Sequence, residues 1–258
     1  MRVVVLTAFR HGPASTCLPV LAAETGVEVA MVVHCLSQFV NRRRKLRRDL
    51  RKIRRVGPLG ALIGYQLRSW YQGEPTEDLK EVCERHGIPF ETSPRTNADE
   101  TVELFRRSGA ELGLSLGNGM IFPKVYRALS RGMINLHGEL LPRFQGAASV
   151  IWAIYEGVTE TGFTIHEVDR TIDTGRIFYQ EKFPIDFRAT LRETVEVNCA
   201  EISRRVPAAL ARVVGDFETH LASAHAQSGG HSHTTPTLRQ FLEMQRQFRR
   251  LREGRGAA

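Results

Sequence analysis

Residues 134–148, INLHGELLPRFQGAA, decide both the fold and the position of the site. They begin within a strand predicted over 133–136, and residues two apart in a strand point to the same side. Asn135 and His137 therefore face one pocket at the carboxyl end of that strand, where α/β folds place their ligands. A His beside an Asn amide can take a proton from an amine and stabilise an oxyanion. The alternative is a His that is hydrogen-bonded within a tight strand–loop junction.

A carboxylate that can work with His137 is available in residues 161–175, TGFTIHEVDRTIDTG. Asp173 stands in the Asp-Thr-Gly turn of this segment. Brought beside His137, it would orient the imidazole and favour its charged form. We expect Gly175 to take the positive φ that so tight a turn requires.

Outward from these segments, the chain alternates strands and helices. Residues 2–7 form a continuous β-branched run, typical of a strand buried on both faces, and a helix ending at Gly26 leads to a strand over 27–33. This order predicts the α/β class, with a mostly parallel central sheet flanked by helices. Further strands are predicted near 89–92, 111–116, 133–136, 161–168 and 176–183, and helices near 76–86, 98–107, 123–130 and 191–222.

The net charge of +8 is concentrated in two segments of the 258 residues. Residues 42–55, RRRKLRRDLRKIRR, hold ten basic residues and one acid, a net of +9, and residues 239–255 add +4. About −5 is left for the rest of the chain. Leu46, Leu50 and Ile53 make the first segment a basic helix with a narrow apolar stripe. The positive charge therefore indicates where the protein docks or that its acceptor carries an anionic group. It does not indicate which chemistry the site performs.

The chain is predicted to hold a catalytic domain over 1–226, with a basic helical insertion at about 40–72. A flexible linker and an Arg-rich amphipathic helix, a short helical extension, are predicted over 227–258. His231 and His233 in the linker have no cysteine or acidic cluster beside them, and the four cysteines lack zinc-ligand spacing, so no metal is expected. No apolar run is long enough to cross a bilayer, and the predicted location is cytoplasmic.

In their order and their residues, these motifs resemble those of the folate-dependent formyltransferase family. That family includes methionyl-tRNA, glycinamide ribonucleotide and sugar N-formyltransferases. The resemblance is strong over about 85–200 and implies a Rossmann-like formyltransferase fold. The family pattern is Asn-x-His, Leu-Leu-Pro, Gly-Ala-Ala, Thr-Gly-x-Thr-Ile-His and Asp-Thr-Gly. This chain carries it at Asn135, His137, Leu140, Leu141, Pro142, Gly146, Ala147, Ala148, Thr161, Gly162, Thr164, Ile165, His166, Asp173, Thr174 and Gly175.

The resemblance implies an N-formyltransferase that moves a formyl group from 10-formyltetrahydrofolate to a primary amine. Transfer would be direct, through a tetrahedral intermediate. Asn135 and His137 would act on the formyl carbon, and Asp173 would pair with His137. In the tetrahedral intermediate, Asn135 and protonated His137 would stabilise the oxygen. The residues implied to bind the folate are Met120, Ile121, Phe122, Val168, Asp169 and Ile172.

Four residues are predicted to bind the acceptor, which we expect to be an amino sugar or a similar small metabolite. Arg10 and His11 follow the first strand, where they would hold a phosphate or carboxylate of the acceptor or form a plain surface turn. Glu139 and Gln145 replace a small hydroxyl residue and a basic residue of the family pattern. Glu139 would either attract a cationic amine or cap the following segment.

The region 42–71 has three interpretations. It is a solvated face, a peripheral contact with an anionic membrane, or a surface for an anionic acceptor. Trp70 and Tyr71 favour interfacial contact. A tRNA partner is disfavoured because 32 residues follow Ala226, whereas methionyl-tRNA formyltransferases carry a sizeable C-terminal β domain.

Two other functions remain open. One is a hydrolase that releases formate from the same folate. The other is a non-catalytic binding protein that uses its basic segments for anionic surfaces. The intact set of Asn135, His137 and Asp173 favours an enzyme.

Overall fold

The computed structural model describes residues 1–37, 42–71, 73, 75–146 and 149–255. Ala147 and Ala148 of the Gly-Ala-Ala motif lie outside the described residues, as do residues 40, 41 and 72 at the ends of the predicted insertion.

The described elements alternate in the order that the sequence predicts over the first 137 residues. The strands are β1 (Arg2–Thr7), β2 (Glu28–Cys35), β3 (Phe90–Ser93), β4 (Leu112–Ser115), β5 (Met133–His137), β6 (Phe144–Gly146), β7 (Glu160–Glu167), β8 (Ile177–Pro184) and β9 (His231–His233). The helices are α1 (Pro13–Ala23), α2 (Arg42–Trp70), α3 (Leu79–Arg85), α4 (Asp99–Ser108), α5 (Pro123–Tyr126), α6 (Ile151–Tyr155), α7 (Leu191–Gly215), α8 (Phe217–Ser223) and α9 (Leu238–Arg255).

Seven strands form the central sheet in the order β3-β2-β1-β4-β5-β7-β8. The pairs from β3 to β5 are parallel, and β7 and β8 continue the sheet antiparallel. Val3 and Val5 of β1 pack into a core with α1 and α7, whereas Val4 and Leu6 pack with α4 and α5 on the other face. The prediction of a mostly parallel sheet flanked by helices is therefore confirmed.

A third apolar cluster joins elements that the sequence places far apart. It contains Trp70 of α2, Trp152 of α6, and Met244 and Phe248 of α9, all buried. The Arg-rich C-terminal helix thus buries its apolar face against the insertion and the loop region after β6. Within the described ranges, no helix is long and apolar enough to span a membrane.

The structure differs from the predicted pattern in several elements. β6 and α6 are not predicted, and the helix predicted over 191–222 is two helices that meet at Asp216. The predicted linker contains β9, which pairs in parallel with β6. The sequence of β9, His-Ser-His, has no apolar alternation and therefore does not predict a strand. The strand is held in place by its pairing with β6 and by the stacking of His233 on Trp152, at 4.6 Å between ring centroids.

Candidate active site

Asn135 and His137 lie at the carboxyl end of β5, between β4 and β7. Asn135 is half-buried and His137 is buried. Both side chains line a cavity of about 500 Å³, which Asp173 also lines. The structure thus brings together the three residues that the sequence assigns to catalysis.

The imidazole of His137 has a defined orientation. Its Nε2 lies 2.7 Å from the backbone oxygen of Phe144. A carbonyl oxygen can only accept, so Nε2 carries the hydrogen and Nδ1 is left toward Asp173, 3.5 Å from Oδ2. Burial lowers the pKa of His137, against the opposing effects of the Asp173 charge and the Phe144 hydrogen bond. Burial thus favours the neutral ring in the resting site.

Asp173 is held by the backbone and by two histidines. The N–H of Gly146 donates to its Oδ2 over 2.8 Å. Burial alone would raise the pKa of Asp173, but its interactions with His166 and His137 and the N–H of Gly146 outweigh it, and the pKa lies below its ordinary value. Asp173 is therefore a carboxylate, ready to stabilise a proton that arrives on His137.

The turn that carries Asp173 is built differently from the prediction. Asp173 itself takes the positive φ, 57°, and Gly175 does not. A Cβ on Gly175 would lie 2.0 Å from the backbone oxygen of Glu167. Gly175 is therefore required for a close approach of two chain segments, and the left-handed conformation falls on Asp173, a residue type that tolerates it.

His166 is a further member of the site to which the sequence assigns no role. Its Nε2 lies 3.1 Å from Nδ2 of Asn135 and 3.5 Å from Oδ1 of Asp173. The N–H at its Nδ1 donates to the oxygen of Glu167 over 2.8 Å. The Thr-Ile-His motif is a signal for it, but only the antiparallel pairing of β5 with β7 places His166 opposite Asn135.

Five of the six residues predicted to bind the folate line the same cavity, namely Met120, Ile121, Val168, Asp169 and Ile172. Phe122 is not among the described residues that line it. Its N–H donates to Oδ1 of Asn97 over 2.6 Å, and Nδ2 of Asn97 donates to the oxygen of Met120 over 2.8 Å. Asn97 thus holds the loop before α5 through two hydrogen bonds, although it is not among the described residues that line the cavity.

The loop over 168–174 is stabilised by hydrogen bonds within the loop. Oδ1 of Asp169 accepts from the N–H of Thr171 over 3.0 Å and from the hydroxyl of Thr174 over 2.9 Å. Asp169 therefore shapes the loop that holds Ile172 at the cavity.

The cavity fits a planar heteroaromatic ligand such as the ring of a folate. Its volume lies in the range of small-molecule sites, and Ile121, Val168 and Ile172 provide apolar walls. Oδ1 of Asn118, another lining residue, is buried and has no hydrogen-bond partner among the described residues. This oxygen is an acceptor available to ring or amino N–H groups.

Arg10 and His11 lie away from the cavity and are not among its described lining residues. Arg10 pairs with Asp78, and this partner raises the pKa of Arg10. Nδ1 of His11 contacts the oxygen of Thr76 at 2.9 Å. These contacts match the surface-turn alternative.

Glu139 is buried and is not among the described residues that line the cavity. Its carboxylate accepts from the N–H groups of Val150 at 2.6 Å and Leu140 at 3.1 Å, and from the hydroxyl of Thr161 at 3.1 Å. Burial raises the pKa of Glu139 to about 7, although these hydrogen bonds oppose the shift. The contacts match the capping alternative, at the start of α6.

Gln145 is likewise buried, and it lies in β6 at the position paired with Ser232 of β9. It is outside the described lining of the cavity.

One wall of the cavity comes from the predicted linker. Ser232, His233 and Thr234 line it, opposite the loops before α5 and before β8. Burial lowers the pKa of His233, against the opposing effect of Glu156. Sequence reasoning missed this wall because nothing in the segment predicts that it folds back beside β6.

Among the residues that the structure describes, no group of three or more His, Cys, Asp or Glu could hold a metal ion. A larger cavity of about 780 Å³ is lined by Arg127, Arg131 and Arg176, among others. It contains none of the predicted catalytic residues, so the site is assigned to the smaller cavity.

Comparison with known proteins adds sequence relationships to this geometry. Residues 70–207 match the model of the family described as formyl transferase. A methionyl-tRNA formyltransferase of Trichlorobacter lovleyi is 37% identical over 108 residues, which are 42% of this chain and 34% of that protein. The chain thus spans about a third of the length of that curated relative.

Solved structures show the same fold over most of the chain. A phosphoribosylglycinamide formyltransferase from Bacillus halodurans matches with a TM-score of 0.56 and 22% identity, over 85% of this chain and 98% of that one. A sugar N-formyltransferase from Shewanella sp matches with a TM-score of 0.57 and 14% identity, over 96% of this chain and 87% of that one. At these identities the likeness concerns the fold.

Proposed function

Because the chain belongs to the formyl transferase family, we propose that it formylates a primary amine of a small metabolite, such as an amino sugar, with 10-formyltetrahydrofolate. The observation that carries this proposal is the geometry of three side chains. Asn135, a neutral His137 and an ionised Asp173 meet in the wall of one cavity that has the size of a small-molecule site.

When bound, the folate supplies the formyl carbon, whose bond to N10 is replaced by a bond to the acceptor nitrogen while a proton passes from the amine to N10. The residues that would hold the folate are Met120, Ile121, Val168 and Ile172, with Asn118 as an acceptor for its N–H groups.

His137 is the group that moves the proton. Its Nε2–H is committed to Phe144, so a proton taken from the amine arrives at Nδ1, on the side of Asp173. The carboxylate of Asp173 then stabilises the imidazolium. The low pKa of resting His137 keeps Nδ1 free for this step at neutral pH.

Asn135 is the group that stabilises negative charge on the formyl oxygen. A carboxamide carries two N–H donors, so one can remain directed to His166 while the other faces the cavity. Donors that are already oriented cost no reorganisation during the reaction, which is why such groups contribute strongly to catalysis.

Incubation of the full chain with 10-formyltetrahydrofolate and a panel of primary amines tests the proposal. We expect one amine to gain the mass of one formyl group, with little formate released in its absence. Formate released at the same rate with and without amine would instead establish the hydrolase. No conversion under either condition, and folate binding unchanged in the His137→Ala variant, would support a binding protein.

A methionyl-tRNA acceptor is the second candidate, because the relative from Trichlorobacter lovleyi bears that name. A direct competition decides between the two acceptors. With methionyl-tRNA and amino sugars in one reaction, formylation of the sugar alone supports the proposal, and formylation of the tRNA alone rejects it.

A further inference from the structure

Helix α2 presents an exposed stripe of apolar side chains within a strongly basic segment. Leu46, Leu50 and Ile53 recur at helical spacing and are between 43% and 60% exposed. Arg47 and Arg51 are also exposed, and each lies about 100° around the helix axis from the leucine that precedes it. The first half of α2 is therefore amphipathic, although its apolar side is not used by the core.

The second half of α2 follows a break at Gly57, whose φ is 75°. There the helix buries one side, with Ile63 and Trp70 in the core shared with α9. A neighbouring side exposes three large apolar side chains to between 57% and 74%, namely Leu59, Leu62 and Tyr65. The protein thus leaves apolar surface uncovered in both halves of one helix.

We propose that the exposed apolar side chains in the two halves of α2 bind the surface of an anionic phospholipid bilayer. The apolar side chains would enter the boundary between headgroups and acyl chains, while the net charge of +9 over 42–55 would be attracted to the lipid phosphates. Arginine side chains suit this position, since their stems lie along apolar surface while their heads remain at the phosphates.

The charge and the apolar stripe together favour lipid over other occupants. RNA would match the charge, but its phosphate backbone would leave Leu46, Leu50 and Ile53 in water. A second copy of the chain would cover apolar surface, but pairing α2 with itself would bring two segments of net charge +9 together.

The docking helix is fixed to the wall of the catalytic cavity. Arg55 donates to the hydroxyl of Thr234, which lines the cavity. Gly64 of α2 packs closely on Thr235, which follows Thr234 in the chain. A Cβ on Gly64 would lie 2.4 Å from Cγ2 of Thr235. Docking through α2 would therefore hold the cavity beside the bilayer.

Co-sedimentation of the full chain with phosphatidylcholine vesicles, with and without phosphatidylglycerol, tests the proposal without any need for enzyme activity. We expect binding to the anionic vesicles at low ionic strength that weakens as salt is added. Replacing three exposed arginines of α2 should weaken this binding by about 100-fold. The variant is Arg47→Gln/Arg51→Gln/Arg54→Gln.

A control with the same change of charge away from α2 should bind as the wild type does, namely Arg106→Gln/Arg127→Gln/Arg212→Gln. A second variant removes apolar surface and keeps every charge, namely Leu59→Gln/Leu62→Gln/Tyr65→Gln. It should weaken vesicle binding by about 10-fold or more, because insertion is lost.

Three results would overturn the proposal. The first is no binding to anionic vesicles at low ionic strength. The second is equal weakening in the control and in the α2 charge variant. The third is an apolar variant that binds vesicles as the wild type does while the charge variant loses binding to RNA, which would make α2 a nucleic-acid surface.

Discussion

The ring of His137 is anchored through the backbone oxygen of Phe144, which lies 2.7 Å from Nε2. Because Phe144 belongs to β6 and His137 to β5, the orientation of the imidazole depends on the loop that connects these two strands. The nitrogen that remains basic is the one that faces Asp173, so a proton accepted there is paired with a charge at once.

Replacing His137 by Asn should lower the rate of formyl transfer by about 10²–10⁴-fold, because the proton acceptor is lost. The exposed His86→Asn variant is the matched control and should keep the wild-type rate. Single-turnover kinetics with saturating folate would measure both. A wild-type rate in the His137 variant would remove this residue from the mechanism.

Asp173→Asn should shift the acid limb of the pH profile of kcat/KM to lower pH and lower its plateau. His137 must be neutral to accept a proton, so activity falls as the pH drops through its pKa. The charge of Asp173 raises that pKa, and its removal therefore lowers it further. An acid limb that stays in place or moves upward would mean that His137 is not the titrating group.

Glu139→Gln should remove a pH dependence of stability between about pH 4.5 and pH 7. The carboxyl has an ordinary pKa of 4.5 and a folded value of about 7. The folded chain therefore binds an extra proton in this window, and its stability falls as the pH rises, by up to about 3 kcal/mol above pH 7.

Urea unfolding at pH 5 and pH 8 would measure this effect as the difference between the wild type and Glu139→Gln. The exposed Glu103→Gln on α4 is the control. A difference that grows with rising pH in the control as well would assign the effect to net charge and not to the enclosed carboxyl.

Gly146→Ala should disrupt the site, whereas Gly132→Ala should not. Both glycines have positive φ, 94° and 66°, so both substitutions cost about 1 kcal/mol in backbone conformation. Only at Gly146 would the new Cβ collide, at 2.3 Å from the backbone oxygen of His233. We expect a large loss of activity in the first variant alone, and similar activities would show that β9 is dispensable.

The sequence predicts the parts of the fold that depend on local pattern. The buried run of β1 and the alternation that turns Asn135 and His137 to one side are both readable from a few adjacent residues. The Asp-Thr-Gly turn indicates Asp173, and the structure places it at the same cavity.

What the sequence could not supply depends on pairing between distant segments. His166 acquires its role from the register of β7 against β5, and His233 from the pairing of β9 with β6. Glu139 is buried against Val150 and Thr161, which follow it by 11 and 22 residues, and its immediate neighbours in the chain do not predict this. A tight turn with glycine suggests a positive φ at Gly175, but the close approach of Glu167 requires the glycine instead.

The pairing of β9 with β6 also concerns the order in which the cavity is built during synthesis. During translation, Asn135, His137 and Asp173 leave the ribosome well before residues 231–234, which form the opposite wall of the cavity. A nascent chain that has been synthesised only to the end of α8 lacks these lining residues of the cavity. The cavity is complete only when residues that lie 58 or more positions after Asp173 have folded back beside β6.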